Sequence, residues 1–184
     1  MLVGGIAVIG MLAGCVDPAP TPGATTSAPT PSASGTPTAT PQPTPSATAT
    51  GTPATPIEAD CATLVPLQAL YDLDPNLALL DDAAPTGALA VEAVAAGGVA
   101  CTLVHTSNGS TIELAVSAPG SDALAAARLS AGDPLDLGIA GADGFASGSA
   151  VQAFTGTQRF SAESTGYDAA VLGAAIAIPL GAIG

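Results

Sequence analysis

Few residues in this sequence are equipped for catalysis or ligation. His105 is the single histidine, lysine and tryptophan are absent, and Arg128 and Arg159 are the only cations against 15 carboxylates. A nucleophilic serine needs a base beside it. His105 sits at the end of an expected strand, no Gly-x-Ser-x-Gly elbow surrounds any serine, and no lysine stands in for the histidine. Carboxylate groupings of the kind used in glycoside hydrolysis occur at Asp72/Asp74, Asp81/Asp82 and Asp133/Asp136/Asp143. The Asp-Pro and Asp-Gly dipeptides among them read more simply as turns. Asp72-Leu73-Asp74-Pro75-Asn76 begins like a calcium loop. It departs at Leu77, where glycine would make the bend, and at Ala83, where a bidentate Glu belongs. No enzyme activity, cofactor or metal is expected; a carboxylate-based hydrolase is the enzymatic alternative.

The cysteines carry clearer chemistry. Cys61 and Cys101 form an even pair, which in an exported domain reads as a disulfide holding the first helix against the sheet. Zinc is the rival reading, but the two thiolates lack CxxC spacing and His105 alone would leave the shell incomplete. Cys15 is different. It closes Leu12-Ala13-Gly14-Cys15 after the apolar run Leu2–Met11, which is too short for a bilayer span of about 20 residues but has signal-peptide length. The four residues resemble a bacterial lipobox, in which the cysteine thiol takes a diacylglycerol and the bond before it is cut. Met1–Gly14 is then a lipoprotein signal peptide, whose missing basic residues place an n-region upstream of Met1. Cys15 becomes a lipid-bearing N-terminus carrying palmitate-like chains, and two such chains give lasting attachment. The alternative is a core helix with a buried cysteine, which Pro18, Pro20 and Pro22 would end at once.

Residues 15–57 combine the lipidated cysteine with a linker of Pro, Thr, Ser, Ala and Gly holding 11 of the 17 prolines. Such a composition has little to bury and favours extended, disordered chain. Thr38-Ala39-Thr40-Pro41 and Ser46–Thr50 resemble O-glycosylated stalks, and an unmodified spacer remains equally open. The net charge of −13 argues against nucleic acid and against electrostatic docking to anionic lipid.

Residues 58–184 have the size of one domain. Asp60 is placed to cap a helix over Cys61–Asp72, with Leu64, Leu67, Leu70 and Tyr71 as its apolar stripe. Thr86 is placed to cap Gly87–Ala96. Val99–His105 and Thr111–Ala118, joined through Asn108-Gly109, read as a hairpin with one wet face bearing Thr111, Glu113 and Ser117. A helix from Ser121 to Ser130, a Gly/Asp loop over Asp133–Gly148, a second hairpin (Ala150–Thr155, Gln158–Glu163) and an apolar helix Tyr167–Ala182 follow. Apolar all round, that last helix is expected to be buried rather than membrane-spanning. The fold class expected is α+β: a four-stranded antiparallel sheet from two ββα units, helices on one face, preceded by one or two helices.

This layout resembles the small cell-envelope lipoproteins of actinobacteria that carry domains of unknown function. Cys61 opens a helix and Cys101 a strand, although Leu103 stands where those proteins often have tryptophan. The resemblance implies no catalytic residues. The chain is therefore expected to be monomeric, lipid-anchored on the extracytoplasmic face of the cell membrane, and to present a binding domain for an envelope protein or a small ligand. A structural or wall-organising lipoprotein is the alternative. Recognition is expected at the Asp133–Gly148 loop, including Asp136 and Asp143, and on the sheet face bearing Thr111, Glu113, Arg159 and Glu163.

Overall fold

The structure, a computed structural model, describes residues 51–80 and 82–183. Residues 1–50, on which the expected signal peptide, lipidated Cys15 and most of the expected linker fall, lie outside the described residues, as do Asp81 and Gly184.

Asp60 caps α1, Cys61–Leu64, by accepting the Thr63 N–H at 2.8 Å. The single helix expected over Cys61–Asp72 is split, because Val65 precedes a proline and leaves helical geometry (φ −128°, ψ 75°). Pro66 then serves as N-cap of α2, Leu67–Leu73. The break turns the expected stripe apart. Leu64 and Leu70 are buried, whereas Leu67 and Tyr71 are 77% and 63% exposed. Next come β1 (Leu77–Leu80), α3 (Ala88–Ala95), β2 (Val99–His105), β3 (Thr111–Ser117) and α4 (Ser121–Leu129). The chain ends with β4 (Asp133–Leu135), β5 (Asp143–Ser147), β6 (Ala150–Phe154), β7 (Arg159–Glu163) and α5 (Ala169–Ile183).

The expected four-stranded sheet is replaced by one of seven strands, all antiparallel, in the order β1-β2-β3-β7-β6-β5-β4. The two hairpins read from sequence are its centre, joined where β3 pairs with β7 (Val116 opposite Phe160). Beyond them β1 lies along β2, and β5 and β4 extend the other side from within the segment read as a loop. Short strands of this kind carry little local signal; the partner strand supplies their hydrogen bonds, so their existence is decided by pairing. Pro134 in β4 fits an outer strand, where a missing N–H is not needed.

Helices cover both faces instead of one. On the first face Leu103, Ile112, Leu114, Val151 and Phe160 pack against Leu64, Leu70, Leu172 and Ile176 from α1, α2 and α5. Asp168 caps α5 by accepting the Ala170 and Val171 N–H groups, each at 3.0 Å. The helix buries Leu172, Ala175, Ile176 and Pro179 and presents Ala174 and Ala177 outward. Among the described residues no helix is long and apolar enough to cross a membrane. On the second face Ala90 and Ala93 of α3 meet Ala115 and Ala100. At its far end Leu124, Ala127 and Ala131 pack on Phe154 and Phe145. The disulfide Cys61–Cys101 is formed, tying the first residue of α1 to β2 with 5.6 Å between Cα atoms.

Candidate functional site

The face expected to be wet is the one α3 covers. Glu113 and Glu163 stand opposite each other on β3 and β7. Both carboxylates are drawn to the N-terminus of α3, whose Gly87 N-cap has no side chain to offer. Glu113 accepts the N–H groups of Thr86 and Gly87 (3.0 and 2.7 Å) and the Thr86 hydroxyl, while Glu163 accepts those of Leu89 and Ala90 (2.7 and 3.2 Å). Thr86, expected as the cap, is a donor here. Arg159 is only 8% exposed; its Nε donates to Gln152 Oε1 (2.9 Å) and its Nη1 pairs with Glu92 of α3 (2.9 Å). Gln152 in turn donates to the Ala131 carbonyl. Glu113, Glu163 and Arg159, expected as recognition groups, are placed as the fastening of α3 to the sheet.

The two loop carboxylates are placed apart in role. Asp136 accepts the Gly138 N–H in a local turn (2.8 Å), and Asp143 pairs with Arg128 Nη1 (2.8 Å). His105 and Asp74 approach to 3.6 Å. His105 Nδ1 accepts the Ser107 N–H at 3.2 Å. The Asn76 N–H bonds Asp74 and holds its carboxyl below the ordinary carboxylate value, with His105 adding a smaller electrostatic effect. Burial, with a further contribution from Asp74, pushes the Tyr167 hydroxyl up, and that hydroxyl has no hydrogen-bond partner. Among the described residues no three His, Cys, Asp or Glu side chains converge as a metal shell.

What the fold does build is a groove of about 700 Å³ between the start of α4, the β6–β7 turn, the end of α5 and residues 52–59. Its walls are mainly apolar: Pro53, Pro56, Ile57, Ala118, Leu124 and Ile183. Thr157 and Gln158 of the β6–β7 turn add hydroxyl and amide groups, and Arg128 adds the one guanidinium among them. Two of its three nitrogens are already engaged, and its buried Nε has no hydrogen-bond partner. Arg128 Nη1 bonds Asp143, Nη2 donates to the Thr155 carbonyl (2.9 Å), and the plane lies 5.3 Å from the centre of the Phe154 ring. A size within the usual 300–1,000 Å³ and a mainly apolar lining with a few polar groups are the attributes of a small-molecule site.

One wall comes from a segment the sequence reading assigned to the linker. Thr55 N–H donates to the Ala118 carbonyl and Ile57 N–H to that of Gly97, both at 2.9 Å. Ser121 N–H donates to the Thr52 carbonyl and Thr52 N–H to Ser121 Oγ, both at 3.0 Å. The groove residues were not singled out from sequence. The available signal was slight: Ile57 ends the Pro/Thr pattern, and Arg128 is one of two cations. A second cavity, about 550 Å³ beside the disulfide, is lined by Asp60, Asp82 and Thr102 as well as Leu79 and Leu80, and is the more polar of the two.

No protein-family model, curated protein or solved structure matches this chain.

Proposed function

We propose that this chain is a lipid-anchored extracytoplasmic protein, held at the membrane through Cys15, whose domain binds an uncharged, mainly apolar small molecule in the groove beside α4. The groove itself is the observation that carries this reading. Its apolar walls favour an apolar body, and Thr157 and Gln158 offer hydrogen bonds to a polar end. An anionic ligand would find Arg128 already neutralised by Asp143 and Glu58 lining the same groove. A domain this acidic also repels anions at longer range. The actinobacterial envelope lipoproteins that the layout resembles are consistent with such a role and supply no activity of their own.

The test uses N-phenylnaphthylamine, a neutral apolar probe whose fluorescence rises on leaving water, with the full chain carrying Cys15→Ser to keep it free of lipid. Saturable binding is expected. Ala125→Trp, which fills the groove from an exposed position of α4, should weaken it by about tenfold or more, equivalent to about 1.4 kcal/mol. Wild-type protein that does not bind the probe, or an Ala125→Trp variant that binds it equally, would overturn the reading. The anchor is tested separately in cells. The natural chain should partition with membranes and Cys15→Ser should not; an unlipidated variant that stays with the membrane would remove Cys15 from the account.

A further inference from the structure

The groove is walled on one side by Thr52–Ile57, a segment whose composition is that of the tether and whose position is fixed by four backbone-directed hydrogen bonds. Thr55 N–H to Ala118 O and Ile57 N–H to Gly97 O lie along it, and the reciprocal Thr52–Ser121 pair closes its start. Little apolar contact supports these bonds: residues 52–56 are exposed, and Ile57 is half-buried against the core. Hydrogen bonds that exposed are the ones that open at low cost. Gly120 shows how closely the segment is seated, since a Cβ there would fall 2.4 Å from the Thr52 carbonyl oxygen. Gly120 itself has φ −58° and ψ 158°, a conformation open to any residue. The glycine is needed for the docked segment and not for the turn into α4.

We propose that Thr52–Ile57 is a strap whose docking and the occupancy of the groove are coupled: a molecule in the groove holds the strap down, and release of the strap removes a wall and lets the molecule go. This inference rests on the groove being the ligand site. An occupant touching Pro53, Pro56 and Ile57 gains those contacts only when the strap is docked, so it binds the docked state more tightly and shifts the population toward it. The coupling is reciprocal. Whatever factor the strap contributes to affinity, the occupant returns to strap docking.

The experiment uses the full chain with Cys15→Ser and N-phenylnaphthylamine. Two readouts are taken: probe affinity, and hydrogen exchange at the Thr55, Ile57 and Ser121 amides with and without probe. Probe should slow exchange at all three amides. Gly120→Ala, which displaces Thr52, should weaken probe binding by about fivefold or more, the lower end of usual coupling factors. Thr55→Pro, which removes the N–H donated to Ala118, should act in the same direction and serves if Gly120→Ala fails to fold. Binding by wild type that is equally tight in the folded variants, with strap exchange unchanged by probe, would overturn the strap and leave the groove standing. No saturable binding to wild type would overturn both.

Discussion

At the scale of single residues, the carboxylates decide how the domain meets acid. Hydrogen bonds from Thr63 lower the Asp60 carboxyl below its ordinary value of 3.8, and those from Asn76 lower Asp74. A group depressed in the folded state releases its proton more readily there than in the unfolded chain. Its contribution is therefore fully present above the unfolded value and is lost as pH falls through the folded one. Stability should be flat from neutral pH down to about pH 5 and fall below about pH 4. Denaturant melts at a series of pH values check this, and Asp60→Ala together with Asp74→Ala should flatten the acid slope. His105 illustrates a different point. The Ser107 N–H on Nδ1 and the nearby Asp74 place it within the β2–β3 turn contacts.

At the scale of elements, α3 is unusual in how it is attached. Its apolar contact is only alanine on alanine, and the remainder is Glu113 and Glu163 at its N-terminus and Arg159 on Glu92. Two carboxylates directly opposed on neighbouring strands repel by about 0.2–1 kcal/mol. A hydrogen bond to a charged group contributes about 1.5–3 kcal/mol, so the helix N-terminus outweighs the repulsion. Glu163→Ala should accordingly lower stability by about 0.5–3 kcal/mol, the difference between those two effects, despite relieving the like-charge pair. Exchange at the Leu89 and Ala90 amides should rise in parallel, and an unchanged melt with unchanged exchange would show that the carboxylate does not hold the helix. Gly98 adds a steric limit to the same attachment, since a Cβ there would sit 2.2 Å from the Val116 carbonyl oxygen.

At the scale of the whole molecule, the disulfide fastens the α1 end of the chain to the sheet. It joins residues 40 apart in sequence, and closing a loop of that length contributes about 4 kcal/mol on the chain-entropy account. That is a large part of the 5–15 kcal/mol typical of a domain. Mass spectrometry of the non-reduced protein should find no free thiol at Cys61 or Cys101. Reduction, or Cys61→Ala with Cys101→Ala, should lower the unfolding free energy by about that amount or abolish folding at growth temperature.

The sequence by itself determined the elements whose signals are local. Asn108-Gly109 marked the β2–β3 turn, where Gly109 adopts φ 76°, and alternation of Ile112, Leu114 and Val116 set the inward face of β3. Asp60 marked the start of α1, and the two cysteines of residues 58–184 marked the bridge. Tertiary structure decided whatever depended on partners distant in the chain. The strands β1 and β5 exist because β2 and β6 offer them unpaired backbone, and β4 because β5 in turn offers its outer edge. Glu113, Arg159 and Glu163 look like a polar surface in one dimension, yet they are covered because α3, itself short of apolar contact, takes its hydrogen bonds from them. The groove was illegible for the same reason. Its walls come from residues 52–59, α4, the β6–β7 turn and the end of α5, four stretches with no common pattern until the sheet brings them to one end of the domain.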